Sequence, residues 1–144
     1  NFDPESSHVL SSLIRKIHDA KMDKRDKIIL WGSGNPRREF VFCDDVADAS
    51  IFAMLNADKL DNTQHYNIGT GIDYSIKELA EMIAGIIGYE GEIQWDTTKP
   101  DGASRKLLDS SRFLKHGWMP AVPIKEGIRI TYQWFLNDMQ GRKK

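Results

Sequence analysis

Apolar residues recur every three to four positions in several stretches of the chain, which is the pattern of helices that bury one face. The clearest stretch opens with Ser75-Ile76-Lys77-Glu78, a capping-box sequence, and ends at Gly88, which favours a helix C-terminus. The same period predicts a first helix over about residues 6–20 and a last helix that starts near Ile124. A short helix is expected between residues 110 and 117.

A fifth helix should follow Asp44 and Asp45, whose carboxylates can cap a helix N-terminus. Its apolar residues occupy most of the circumference: Val46, Ala47, Ala49, Ile51, Phe52, Ala53 and Leu55. A helix that is apolar on most sides is usually covered on most sides. We therefore expect this helix to be largely buried.

Short apolar runs bounded by turn residues predict strands. Residues 28–31 and 40–42 are two such runs, and the turn-forming residues 32–36 separate them, so we expect a strand, a tight glycine loop and another strand. Tyr66-Asn67-Ile68 is a third short run. Residues 92–96 alternate polar and apolar positions, as a half-buried strand does.

Composition limits the class of protein. The 144 residues suffice for one compact unit over residues 1–144, and the 40% hydrophobic and 28% charged residues disfavour disorder. Because 20 Lys and Arg residues balance 21 Asp and Glu residues, we expect no nucleic-acid partner. No apolar run reaches the roughly 20 residues of a membrane helix. Residues 1–5 lack the pattern of a signal peptide, so we expect a cytoplasmic protein without a membrane partner.

The single cysteine and the scattered histidines predict no metal. Cys43 alone can form neither an intrachain disulfide nor an all-cysteine site, and the four histidines lack metal-ligand spacing. Cys43 also has no basic neighbour to activate a thiolate, so we interpret it as a packing residue. Asn1 stands where an initiator Met would, which suggests a chain that begins part-way through a longer gene product.

Two loops carry candidate chemistry. In residues 31–40 an aromatic plane at Trp31 and two arginines flank a G-x-G turn, and such backbone N–H groups and guanidiniums suit phosphate oxygens. The spacing equally allows a β-hairpin turn with solvated arginines. In Lys99-Pro100-Asp101-Gly102, followed by Arg105 and Lys106, a carboxylate can accept sugar hydroxyls and a lysine can pair with phosphate. Pro-Asp-Gly is also simply a favourable turn.

His8 is the candidate general acid or base, since it precedes the first predicted helix and imidazole can exchange a proton near neutral pH. A histidine in that position can equally be a surface or packing residue. The other three histidines receive no role.

Taken in order, six parts of the chain resemble the GDP-L-fucose synthase family of extended short-chain dehydrogenase/reductases. They are Asn1-Phe2-Asp3-Pro4 with Ser7-His8-Val9, residues 31–40, Asp44-Asp45, Asn67-Ile68-Gly69-Thr70-Gly71, residues 99–109 and Thr131 to Leu136. The resemblance extends over essentially the whole chain. It implies an α/β fold, with short strands and about five helices, that forms the C-terminal, substrate-binding portion of the enzyme.

The resemblance also implies roles for individual residues. His8 matches the family's acid/base histidine, which protonates the sugar carbon after a proton is removed beside the 4-keto group, and it lies close to the NADPH site. Lys16 stands where the family has a basic substrate-binding residue, usually arginine. Contacts with the GDP-sugar are implied for Lys16, Trp31, Arg38, Asp101 and Lys106, the last of them with phosphate. Cys43 does not match the family's catalytic cysteine.

Several family motifs are missing from the sequence. No G-x-x-G-x-x-G follows an opening strand, and no Tyr-x-x-x-Lys pair occurs. We therefore predict the C-terminal half of an NADPH-dependent enzyme that converts GDP-4-keto-6-deoxy-D-mannose to GDP-L-fucose, with NADPH bound mainly by the missing half. The full-length enzyme should be a homodimer, and this part alone should be inactive. The alternatives are a related nucleotide-sugar epimerase or dehydratase, and a non-catalytic nucleotide-sugar-binding module.

Overall fold

The computed structural model describes residues 2–3 and 7–141, and within them five helices and five short strands alternate. In chain order they are α1 Val9–Met22, β1 Lys27–Trp31, β2 Arg37–Glu39, α2 Cys43–Leu55, β3 Asp73–Ser75, α3 Ile76–Ile87, β4 Glu92–Asp96, β5 Arg105–Lys106, α4 Ser111–Leu114 and α5 Ile124–Gly141. The number of helices agrees with the prediction.

The strands form two small sheets. β1 pairs in parallel with β4, from Lys27 opposite Glu92 to Trp31 opposite Asp96. In the second sheet β2 is central, antiparallel to β3 and parallel to β5. β1 and β2 therefore belong to different sheets, and the β-hairpin that the spacing allowed around the glycine loop does not form. The reason is that each strand finds its partner far along the chain rather than across residues 32–36.

Two predicted strands are not strands in the described residues. The second apolar run, residues 40–42, lies after β2 and leads into α2, with Phe42 as the extended N-cap residue. Residues 66–68 likewise have no strand partner. There the Asn67 side-chain amide donates to the Asp109 carbonyl at 3.0 Å, a side-chain bond in place of a ladder.

α3 agrees with its sequence signals. The Ser75 hydroxyl accepts from the Glu78 N–H at 3.1 Å, and the Glu78 carboxylate accepts from the Ser75 N–H at 2.7 Å, which completes the capping box. Gly88 ends the helix at φ +73°, a left-handed conformation that costs glycine little. α1 begins at Val9 rather than near residue 6, a position outside the described residues.

Most of the core lies between α1, α3, α5 and β1. Its buried members come from the inward faces of these elements: Leu13, Ile14, Ile17, Ala20, Ile28, Leu30, Leu79, Ala80, Ile83, Ala84, Ile87, Tyr89, Ile128 and Phe135. A second, smaller cluster joins α2 to α4 through Ala49, Phe113 and Trp118. No helix in the described part of the chain is long and apolar enough to cross a membrane.

The expectation that α2 is largely buried is wrong. Only Asp45 and Ala49 of this helix are buried, whereas Met54 and Leu55 are each 77% exposed. The physical reason is that the second cluster covers one side of α2, and no described element packs on the other. Asp45 does not cap the helix either: its two oxygens accept from the N–H groups of Ala121 at 3.0 Å and Val122 at 3.1 Å.

Candidate functional site

The glycine loop presents Trp31 to solvent. β1 turns Ile28 and Leu30 into the core, and its alternation leaves the Trp31 side chain 71% exposed. Gly32 at φ +83° and Gly34 at φ +77° then reverse the chain in left-handed conformations. An exposed indole at the end of a strand, next to a tight turn, offers a flat surface to a ligand.

Asp101 ties the glycine loop to the loop that follows β4. Its Oδ1 accepts from the Ser33 N–H at 2.8 Å, and its Oδ2 accepts from the Ser33 hydroxyl at 2.6 Å. These bonds hold the pKa of Asp101 below its ordinary value, with the hydroxyl bond contributing most. A Cβ on Gly32 would lie 2.4 Å from Oδ1, so glycine is needed for this approach.

Two lysines lie against Trp31. The ammonium groups of Lys16, from α1, and Lys99, from the loop after β4, are each 5.6 Å from the indole centroid. This is the distance range of a cation–π contact. Both side chains are otherwise exposed, so the indole stands within a small positively charged patch.

Arg38 lies next to this patch on β2. Its Nη1 donates to the carbonyls of Ala103 at 2.8 Å and Arg37 at 2.7 Å, which fixes the guanidinium against the loop that carries Asp101. Lys106 of β5 is opposite Arg38 in the parallel register, and residues opposite each other share a face of the sheet. Arg38 and Lys106 are thus two cations on one face.

The neighbouring arginines are engaged elsewhere. Arg37 donates to buried Asp73 at 2.8 Å, and Arg105 donates to the other oxygen of the same carboxylate. The hydrogen bond from Arg37 and then that from Arg105 lower the pKa of Asp73, whose bond in turn raises the pKa of Arg37. This cluster joins β2, β3 and β5 and leaves Arg38 and Lys106 as the cations available on the other face.

Glu39 organises the Asn-Ile-Gly-Thr-Gly loop. Its Oε1 accepts from the Gly71 N–H at 2.7 Å and its Oε2 from the Leu108 N–H at 3.1 Å. A Cβ on Gly69 would lie 2.6 Å from the same carboxylate. Glu39, at the end of β2, therefore joins that strand to the segments before β3 and after β5, a structural role that no sequence pattern indicated.

His8 directly precedes α1, the helix that also carries Lys16. It is the exposed N-cap of α1, and no side-chain hydrogen bond to it occurs among the described residues. Lys16 lies eight positions further along α1, roughly 12 Å along the helix axis. The structure therefore gathers Lys16, Trp31 and Asp101 at one place and Arg38 beside them. The catalytic role of His8 stays a prediction.

Sequence reasoning missed Ser33 and Lys99 as parts of the site. Both lie in the two loops that the motifs singled out, so their neighbourhood was recognisable. That Ser33 pairs with Asp101, 68 positions away, is a fact of tertiary structure that no local pattern contains.

The described residues do not form a dinucleotide site. Gly85, Gly88 and Gly91 have the G-x-x-G-x-x-G spacing, but they lie at the end of α3 and in the loop after it. A dinucleotide-binding loop needs a helix N-terminus after the glycines, and here β4 follows instead. The described part of the chain also contains no cluster of three or more potential metal ligands.

Comparisons of the sequence with known proteins find similar chains. Residues 1–69 match the model of the NAD dependent epimerase/dehydratase family. The whole chain is 46% identical to a putative GDP-L-fucose synthase 2 of Arabidopsis thaliana and covers 43% of its length. It is 45% identical, over 96% of this chain, to the GDP-L-fucose synthase of Escherichia coli K12, of which it covers 45%.

Two solved structures with a similar fold are also enzymes of GDP-sugars. A GDP-L-fucose synthetase of Naegleria fowleri bound to NADP matches 97% of this chain and 43% of its own, with TM-score 0.84 and 26% identity. A GDP-mannoheptose C4 reductase of Campylobacter jejuni with NADP bound matches 91% of this chain and 45% of its own, with TM-score 0.75 and 36% identity. The chain thus spans less than half the length of these relatives, and the predicted α/β fold, a C-terminal part of the extended short-chain dehydrogenase/reductase fold, is confirmed. The whole chain is thus similar in sequence to a part of GDP-L-fucose synthases, and residues 1–69 match the NAD dependent epimerase/dehydratase family.

Proposed function

We propose that this chain is the nucleotide-sugar-binding part of an NADPH-dependent epimerase/reductase that converts GDP-4-keto-6-deoxy-D-mannose to GDP-L-fucose. The observation that carries the proposal is the convergence of Lys16 and Lys99 on an exposed Trp31 whose loop is fixed by Asp101. A flat apolar ring beside several cations suits a ligand that combines a ring system with a diphosphate.

Each residue has a task in binding. The Trp31 indole provides a surface for the base or a sugar ring, and Lys16 neutralises phosphate charge at its edge. Arg38, held by two carbonyls, presents its remaining N–H groups to the ligand, and Lys106 on the same face pairs with phosphate. Asp101 keeps the two loops together around the ligand.

His8 is the proposed acid/base residue. Its imidazole is exposed at the N-terminus of α1, so a ring nitrogen can deliver a proton to a carbon of a sugar bound nearby. The reduction that completes the reaction uses hydride from NADPH. We assign NADPH mainly to residues outside those described, since the described glycines do not form a dinucleotide loop.

The remaining parts of the proposal concern the whole protein. We propose an isomerase as well as an oxidoreductase activity, a cytoplasmic location, a homodimer, and no nucleic-acid or membrane partner. We also propose that residues 1–144 act as one unit. The near-balance of 20 basic and 21 acidic residues supports the absence of a nucleic-acid partner.

The test is solvent deuterium exchange into the sugar at C3 and C5, catalysed by the full-length protein. The wild type should exchange both positions and form GDP-L-fucose with NADPH. His8→Gln should lose product formation and slow the exchange, because the proton donor is gone. His65→Gln, an exposed histidine outside the site, is the matched control and should behave as the wild type. Full exchange and turnover in His8→Gln would remove His8 from the mechanism.

A related GDP-sugar enzyme is the second candidate. The observation that favours it is the 38% identity to a GDP-L-colitose synthase of Yersinia pseudotuberculosis, over 95% of this chain. Product analysis with GDP-linked and UDP-linked 4-keto sugars separates the two. A preference for another sugar would favour the related enzyme, and absence of any product or binding would favour a non-catalytic module.

A further inference from the structure

Ser33 and Asp101 form a two-point clip between loops that are far apart in sequence. Asp101 Oδ1 and Oδ2 each accept one hydrogen bond from Ser33, from its N–H at 2.8 Å and its hydroxyl at 2.6 Å. The same hydroxyl accepts from the Asn35 N–H at 3.1 Å. Since the hydroxyl is donor and acceptor at once and both carboxylate oxygens are used, neither side chain can rotate without losing a bond.

The backbone is adapted to this clip. Gly32 lies next to Ser33 at φ +83°, and a Cβ there would be 2.4 Å from Asp101 Oδ1. The carboxylate thus approaches bare backbone, which no other residue type at position 32 would allow. Three positions therefore cooperate in one contact: a glycine for space, a serine for two donors and an aspartate for two acceptors.

The clip is one of two ties that place Lys99 beside Trp31. Trp31 lies opposite Asp96 in the β1–β4 register, and the Lys99 N–H donates to the Asp96 carbonyl at 3.2 Å. The clip adds a second tie, since Trp31 is two positions before Ser33 and Lys99 is two positions before Asp101. The ammonium groups of Lys99 and Lys16 are each 5.6 Å from the indole centroid. Both side chains are exposed and an exposed cation–π contact is weak, so a phosphate oxygen would be a stronger partner for either ammonium group.

We propose that the Ser33–Asp101 clip is a positioning device that holds Lys99 over Trp31, so that Lys99 and Lys16 together receive the diphosphate of a nucleoside diphosphate sugar. The proposal rests on the proposed function and adds Lys99 and Ser33 to it. Asp101 is then a positioning residue through its two hydrogen bonds from Ser33. Lys99 is the group that touches the ligand.

The first experiment tests the positioning. Full-length protein labelled with 5-fluorotryptophan gives one ¹⁹F signal for each tryptophan, and Trp31→Phe assigns the signal of Trp31. Ser33→Ala should shift that signal, while Ser33→Thr, which keeps the hydroxyl, should restore it. Thr63→Ala is the matched control, since Thr63 donates the same N–H and hydroxyl pair to Asp61 in an exposed loop remote in sequence. An unchanged Trp31 signal in Ser33→Ala would overturn the positioning role.

The second experiment tests the ligand, with GDP and guanosine as probes. Lys99→Ala should weaken GDP binding about tenfold, as the loss of a charge-assisted bond does, and leave guanosine binding unchanged. In turnover it should raise KM with little change in kcat. Lys27→Ala, an exposed lysine at the other end of β1, should bind GDP as the wild type does.

The binding experiment separates failure of the role of Lys99 from failure of the proposed function. If the wild type binds GDP and Lys99→Ala binds it equally well, Lys99 does not contact the diphosphate, and the proposed function still stands. If the wild type binds neither GDP nor GDP-sugars, the proposed function fails and the role of Lys99 fails with it. In that case the ¹⁹F experiment still decides whether the clip positions Trp31.

Discussion

The two apolar clusters of this chain differ in how completely their side chains are shielded from solvent. Among the described residues, the cluster between α1, α3, α5 and β1 has 14 buried members, and each helix contributes one apolar stripe. The cluster between α2 and α4 has three, Ala49, Phe113 and Trp118. A helix with one stripe needs one neighbour, whereas α2 is apolar on most sides and has a described neighbour on only one of them.

This difference leaves large apolar side chains of α2 exposed to solvent. Ile51, Met54 and Leu55 of α2 are 56%, 77% and 77% exposed. The larger cluster therefore provides most of the buried apolar surface of the described residues, and α2 contributes little to it.

The largest expected effect comes from a matched pair of phenylalanines, each 1% exposed. Phe135→Ala, in the larger cluster, should lower the free energy of unfolding by about 3–5 kcal/mol, because the cavity lies among rigid helices. Phe113→Ala should lower it less, since the smaller cluster can open locally, and should accelerate amide exchange in α2 and α4. Urea unfolding and hydrogen exchange measure both. Equal losses without local exchange in Phe113→Ala would mean that the two clusters unfold as one.

The next effect concerns Asp45, which connects the two regions. Its carboxylate accepts from two backbone N–H groups just before α5, so Asp45→Asn leaves one of them facing an amide N–H. The free energy of unfolding should fall by about 0.5–1.5 kcal/mol, the net contribution of one hydrogen bond, because Ala121 is exposed and Val122 is only half-buried. Asp44→Asn, an exposed neighbour, is the control and should be near neutral. Similar losses in both variants would show that general charge near α2, and not this contact, matters.

The sequence predicted the elements of the larger cluster better than those of the smaller one. α3 was predicted correctly because its cap, stripe and stop are all local signals: Ser75, the apolar period and Gly88. α2 was predicted as a helix but with the wrong burial, because a pattern of apolar residues does not say whether another element packs on each side of the helix. The β1–β2 hairpin that the spacing allowed does not form, because strand pairing depends on partners as distant as β4 and β5.

For the site, the sequence indicated the two loops that come together but not the contacts between them. Lys16 lies against Trp31, and Asp101 binds Ser33 in the loop that follows Trp31. Their connection through Ser33 and the participation of Lys99 depend on the spatial approach of two loops, which no periodicity or spacing records. The roles of all the predicted site residues stay predictions: His8, Lys16, Trp31, Arg38, Asp101 and Lys106.

A smaller effect is a pH dependence of the free energy of unfolding, which arises from His18 in the larger cluster. His18 of α1 lies between Tyr132, whose hydroxyl is 3.0 Å from Nδ1, and the ring of Phe135, and the charged groups near it are Asp19, Arg15 and Lys21. Burial lowers the pKa of His18 from 6.5, because it disfavours the imidazolium. The unfolded chain then binds the proton more readily, so stability is full above about pH 6.5 and falls as the pH drops through the folded pKa.

The measurement is the urea midpoint between about pH 7.5 and pH 5, a range in which histidine titrates. His18→Phe should remove part of the wild-type decrease toward low pH. His65→Gln, an exposed histidine in the loop after α2, should keep the wild-type slope. If His18→Phe and the wild type lose stability in parallel, His18 does not couple the α1–α5 contact to pH.

The smallest effect should come from the exposed face of α2. The double variant Met54→Lys, Leu55→Lys changes two side chains that are each 77% exposed, so the free energy of unfolding of the 144-residue chain should change by no more than about 0.5 kcal/mol. Leu79→Lys, at a fully buried position of α3, should prevent folding, because it places an unpaired charge in the larger cluster. Urea unfolding at two protein concentrations separates intrinsic stability from association. A large loss in the double variant that grows with protein concentration would show that copies of the chain cover this face, and the contrast between the two clusters would then hold only for the isolated chain.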